Sequence, residues 1–230
     1  MKAYIRQVSI FAIIFTLAFV FTYFFYSLKV EKEIAERQSD YVVTKIVANQ
    51  DIEKYDGEKL LLCSGTPDVK KFREKFPSFS YNQDNSGWYT VDIDPWMRPN
   101  LLADLKNPKT YDYLSKKKFS IIFDEYCTHD ASEKLHDFAA PLLKIDGILV
   151  SKVCGRFDKL SEVKQSIASK GYKNVVFGHP ENGDNNIYWL KKLTNEQIVS
   201  AFKNNPYTKA PTIECPGDDG KVWIEFVAIK

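Results

Sequence analysis

The sequence predicts an α/β fold: a Rossmann-like three-layer sandwich with a mostly parallel sheet and an antiparallel edge hairpin, preceded by an N-terminal transmembrane helix. Three observations predict it. Short apolar runs alternate with helical patterns from residue 59 onward. Most runs end in polar or turn-forming residues, as parallel strands do where they deliver side chains to a ligand edge. Residues 7–28 carry no charge and are rich in Phe, Ile and Leu.

As a helix, the segment 7–28 is long enough to cross a hydrocarbon core of about 30 Å. Tyr23 and Tyr26 fall near its exit, where amphipathic rings prefer the interface, and charge resumes at Lys29, Glu31 and Lys32. The competing reading is a cleaved signal peptide led by Lys2 and Arg6. Against it, the apolar run exceeds the usual ~7–15 residues and no small-x-small site follows. Lys2 and Arg6 on one side balance Lys29, Lys32 and Arg37 on the other, and the body is placed on the cytoplasmic side of a single-pass membrane protein. The chain then divides into an anchor, 1–28; a juxtamembrane helix and lead-in, 29–58; a Rossmann-like domain, 59–193; and a C-terminal helix-strand appendage, 194–230.

Within 29–58, residues 31–47 read as an amphipathic helix with Ile34, Val43, Ile46 and Val47 on its apolar face. Residues 60–62 form a buried strand that enters the turn Cys63-Ser64-Gly65-Thr66-Pro67, and 68–76 form a short helix with Asp68 at its positive end. A strand over 88–93 ends in Asp92 and Asp94, and a Pro-broken loop leads to a second apolar run before Asp104. The strand 119–123 opens into the polar cluster from Asp124 to Asp130. A helix over 131–143 follows, with Leu135, Phe138, Ala139 and Leu142 on one side. Ile145-Asp146-Gly147 turns into the strand 148–153, and the helix 160–169 ends before Gly171, a residue suited to a left-handed cap. Residues 172–177 and 186–193 pair as the edge hairpin around Glu181-Asn182-Gly183-Asp184, leaving a helix over 194–203 and a strand over 221–229 as the appendage.

Charge argues against a nucleic-acid partner. Without Lys2 and Arg6 the rest of the chain holds 30 basic and 30 acidic residues, and the clusters at 70–75 and 116–118 read as solvated faces. Cys63, Cys127, Cys154 and Cys215 are scattered and form no CxxC pair, and no Asn-x-Ser/Thr acceptor occurs. Both features fit free thiols in a reducing compartment.

Five pieces in order carry a family resemblance: Lys59-Leu60-Leu61-Leu62-Cys63-Ser64-Gly65; Gly87-Trp88-Tyr89-Thr90-Val91-Asp92; Pro99-Asn100-Leu101-Leu102-Ala103-Asp104; Phe119-Ser120-Ile121-Ile122 with His129; and Leu142-Leu143-Lys144-Ile145-Asp146-Gly147. Together they resemble class I S-adenosylmethionine-dependent methyltransferases, in the compact variety whose second strand follows Gly-Trp and ends in a ribose-binding aspartate. The resemblance implies S-adenosyl-L-methionine as cofactor, with Asp92 on the ribose hydroxyls, Asp104 facing the adenine amino group, and Ser64 and Gly65 near the methionine part. It implies that Asp124 to His129 border the acceptor pocket. Its first motif departs from the family's acid and three glycines: Leu61, Cys63, Gly65 and Pro67 stand at those positions. In the family's strand order the first, fourth and fifth strands are neighbours, which would bring Cys63, Cys127 and Cys154 together as a conceivable zinc or redox site.

The candidate catalytic residues are His129, whose ordinary pKa suits a general base, and Asp124. Each acid also has a plainer reading: Asp92 and Asp94 close a turn before Pro95, and Asp104 serves a loop before Pro108. The expected partners are a membrane, through the N-terminal helix, and a small-molecule, glycan, lipid or protein acceptor. Two other functions suit the same residues. One is a catalytically inactive interaction module on the same fold. The other is a metal-dependent glycosyltransferase-like enzyme using the Asp92-Ile93-Asp94 pair.

Overall fold

Among the described residues, alternating apolar runs fold into one eight-stranded sheet. The computed structural model describes residues 46–63, 85–95, 99–125, 127–180, 188–215 and 220–230, which fall in the unit Lys45–Lys230. The strands are β1 (Val47–Ala48), β2 (Lys59–Leu62), β3 (Tyr89–Asp92), β4 (Leu101–Leu102), β5 (Phe119–Asp124), β6 (Leu143–Gly155), β7 (Asn174–Phe177) and β8 (Val222–Ile229). Their order is β1-β4-β3-β2-β5-β6-β8-β7. From β4 to β6 the pairs are parallel, whereas β1 on β4, and β8 on both β6 and β7, are antiparallel.

Because successive residues of a strand point to opposite faces, an all-apolar strand must be covered twice. Leu60, Leu62, Tyr89, Val91 and Leu149 join one cluster with the buried residues of helices α1 (Pro108–Leu114), α2 (His129–Leu142) and α3 (Leu160–Ala168). Leu61, Ile121, Phe123, Val150 and Val227 join the other, under Ile198 and Phe202 of helix α4 (Asn195–Asn204) and Leu190 of the 3-10 helix Tyr188–Lys192. Helix α4 starts cleanly because Thr194 and Gln197 form a reciprocal capping box.

Several expectations change. The anchor 1–28 lies outside the described residues, among which no helix is long and apolar enough to cross a membrane. Most of the expected helix 31–47 also lies outside them, but its end does not: Val47 and Ala48 form an edge strand on Leu102 and Leu101. The expected hairpin of 172–177 with 186–193 does not form. Instead, β7 pairs with β8, and residues 188–192 are helical. Nor is the C-terminal strand an appendage. Its apolar run is inserted between β6 and β7 and pairs with β6 from Ile148 to Gly155.

The turn at Ile145-Asp146-Gly147 is absorbed within β6, where the register shifts between Phe119 and Ile121 and Asp146 takes φ 60°. Gly147 is needed there, since a Cβ would stand 3.0–3.2 Å from the carbonyl oxygens of Lys144, Phe119 and Ser120.

Candidate ligand site at the carboxyl edge of the sheet

The strand order reverses between β2 and β5. Chain leaving β2 builds β3 and β4 on one side, then returns to lay β5 and β6 on the other. In an open parallel sheet this reversal opens a crevice outside the strands' carboxyl ends, where ligands bind. Here Leu62 stands level with Val91 and Asp124, and Asp92 level with Leu102. Asp92 ends β3 here, and Cys63, Asp104 and Cys127 come one to three residues past the ends of β2, β4 and β5.

Asp92 is half-buried at the end of β3; its Oδ1 accepts the Asp94 amide at 2.9 Å and its carbonyl accepts the Ala103 amide at 2.9 Å. Asp104, also half-buried, lies two residues past Leu102 on the neighbouring strand. Its Oδ1 accepts the Lys106 amide at 2.8 Å, and Thr110 Oγ1 donates to its carbonyl at 2.6 Å. The register therefore brings both carboxylates to one edge. Each also shapes its own turn, so the two readings of these acids coexist in the same atoms. Ser64 and Gly65 lie outside the described residues.

Asp124 does not face the crevice. It is 1% exposed and points into the layer beneath α2. Ser132 Oγ and Ser151 Oγ each donate to its Oδ2 at 2.7 Å, and the Cys127 amide donates to Oδ1 at 3.2 Å. Burial pushes its pKa up, and the two serine hydroxyls pull it back. Ser151 Oγ also stands 3.0 Å from His136 Nε2. Since the serine has one proton and gives it to Asp124, His136 donates to it, which fixes the Nε2–H tautomer. Burial holds the His136 imidazole neutral, with a pKa of about 3. Asp124 thus ties β5, β6 and α2 together, and its place in the fold differs from that expected of a catalytic acid bordering the acceptor pocket.

Glu125, the next residue, points to the opposite face. Its Oε1 accepts from Lys191 Nζ at 2.6 Å, and Lys191 also donates to Asn85 Oδ1 at 2.8 Å; all three residues are buried. No sequence signal marks Lys191, whose neighbour Lys192 reads identically in the chain. His129 is the first residue of α2 and remains 24% exposed at the side chain. Its Nε2 lies 3.1 Å from Glu133 Oε1, and its ring meets Trp223 of β8 edge-on at 5.8 Å. Lys152 Nζ lies over the same indole at 4.8 Å.

The cysteines correct the sequence reading most directly. All four are paired: Cys63 with Cys127 across 5.0 Å between Cα atoms, and Cys154 with Cys215 across 6.0 Å. Free thiols and a three-cysteine site are thereby replaced by two disulfides 64 and 61 residues apart in sequence, separations no spacing rule reveals. Cys63 takes φ 57°, the left-handed region where a glycine is at home, at the position where the family pattern has one. Among the described residues no group of three or more His, Cys, Asp or Glu side chains is placed to hold a metal.

The fold and edge define a Rossmann-like α/β protein with a ligand crevice at its strand reversal. No protein-family model matches the chain, and no curated protein matches it in sequence. Solved structures similar to it include Haemonchus contortus phosphoethanolamine N-methyltransferase 2 bound to S-adenosyl-L-methionine. That likeness has 14% identity and a TM-score of 0.39, over 78% of this chain and 51% of the enzyme. The chain therefore spans about half the length of that enzyme. A pre-rRNA processing fibrillarin of Methanococcus jannaschii gives 14% and 0.37, over 80% of this chain and 69% of that one. An S-adenosylmethionine-dependent methyltransferase of Archaeoglobus fulgidus gives 12% and 0.37, over 78% and 89%. The fold assignment rests on strand order and register, not on these likenesses.

Proposed function

We propose that this chain is a membrane-anchored, S-adenosylmethionine-dependent methyltransferase-like protein, with residues 7–28 as the anchor. The observation that carries the reading is the register that sets Asp92 and Asp104, from adjacent parallel strands, on one edge beside the strand reversal. The donor set suits a nucleoside. A carboxylate at Asp92 can accept both hydroxyl protons of a ribose diol, and one at Asp104 can accept from the adenine amino group. Ser64 and Gly65 complete the methionine end in this reading. When bound, S-adenosylmethionine supplies an electrophilic methyl group on a sulfonium.

This chain's own residues then hold and orient. His129, on the first turn of α2, takes the proton from an oxygen or nitrogen acceptor, with the Glu133 carboxylate 3.1 Å from its Nε2. Asp124 acts from below by setting where α2 begins. The acceptor is a small molecule, glycan, lipid or protein near the bilayer.

The Cys63–Cys127 bond favours a second reading, an interaction module without activity, because it puts sulfur where the cofactor wants close backbone approach. Calorimetric titration of the full chain with S-adenosylmethionine, with and without a dithiol reductant, separates the two. Saturable heat that weakens at least tenfold in Asp92→Ala is the expected result. Absence of heat in both buffers from folded protein overturns the enzyme reading.

A further inference from the structure

The chain has four cysteines, and every one is bonded. Cys63, just past β2, joins Cys127, just ahead of α2; Cys154, near the end of β6, joins Cys215, ahead of β8. Their Cα separations of 5.0 and 6.0 Å lie within the span that a disulfide bridges without moving the backbone. The first cysteine pairs with the second and the third with the fourth, so the two loops follow one another and neither encloses the other. A chain entering an oxidising space amino end first closes its bonds in this order, with no reshuffling.

Two other reasons for bringing cysteines together fail here. A metal centre needs more ligands, and among the described residues no group of three His, Cys, Asp or Glu side chains is placed to hold one. A redox sensor presents an exposed, reactive sulfur, whereas none of these four residues is exposed, and Cys127 and Cys215 are buried. A structural role remains. The bonds close loops across 64 and 61 residues, and restraint of the unfolded chain grows with loop length. Structural disulfides form and persist in oxidising compartments, while the cytosol keeps thiols reduced.

We propose that residues 46–230 fold and work in an oxidising compartment outside the cytosol, where both disulfides are permanent parts of the fold. This replaces the reducing compartment expected from scattered thiols. It goes beyond the methyltransferase reading and needs neither the anchor nor a ligand. Each bond forms by thiol–disulfide exchange with a donor disulfide of that compartment. One cysteine thiolate attacks the donor, and the second cysteine displaces the donor's remaining sulfur. Two electrons and two protons leave each cysteine pair, and the donor departs as a dithiol.

The test uses the full chain in the cells that make it, with a redox-sensitive fluorescent protein joined by a linker after Lys230. Cells are quenched in acid so that no thiol exchanges during lysis, and the denatured chain is then treated with a maleimide that adds mass to each free thiol. The expected reporter signal is oxidised at rest. The chain's own four cysteines should take no maleimide until a reductant is added, and then all four should react. A reporter as reduced as the same fluorescent protein expressed free in the cytosol overturns the proposal, whatever the state of the cysteines. So does modification of either pair before reduction in most of the molecules.

Discussion

At the end of β5 two adjacent acids leave the strand in opposite directions, Asp124 toward Ser132 and Ser151, Glu125 toward Lys191. Strand alternation makes this divergence unavoidable. The sequence shows both acids but not which covered face each enters. His136 supplies a measurable consequence. Its pKa is about 3 in the fold against 6.5 for an unperturbed histidine, so between these values the unfolded chain binds a proton that the folded one does not. Stability therefore rises with pH across that window and is lost on acidification, with a slope of up to about 1.4 kcal/mol per pH unit. His136→Gln should flatten this limb in urea midpoints measured from pH 4 to 6.5. Asp124, with its raised pKa, contributes with the opposite sign and is common to both proteins. Ser151, 1% exposed in β6, is the hydroxyl that both groups share.

Among the elements, those specified by local pattern were readable: β2, β5 and the helices α2, α3 and α4 lie close to where periodicity and caps put them. The edge hairpin was not, because Asn182-Gly183 is a strong turn signal that carries no information about which strand is available to pair. The strand that took its place, β8, lies more than forty residues beyond β7. Lys191 is the least legible contributor, a lysine 6% exposed in a short helix that bridges Asn85 and Glu125. The pair joins the end of β5 to that short helix, so its loss loosens their contact. Lys191→Met should lower stability in chemical denaturation, and the double variant Lys191→Met/Glu125→Leu should recover part of that loss if the ion pair itself carries it. If the double variant is no more stable than the single, the cost lies in lost packing and not in the ion pair.

Over the whole molecule, the sequence displayed the class of architecture through alternation, and the carboxyl-edge acids through their place after each apolar run. It hid the disulfides and the antiparallel insertion, because both join segments far apart in the chain. The proposed anchor is tested at this scale. After an alkaline wash the full chain should stay with membranes, whereas a chain starting at residue 29 should be released; release of both removes the anchor. The insertion of β8 also fixes a timetable for synthesis. Among the described residues β7 has β8 as its sheet neighbour, so residues 174–177 have no strand to dock on until 222–229 have left the ribosome. Until then the β8-facing edge of β6 lacks its partner strand, an adhesive margin that the nascent chain must carry while residues 156–221 are made.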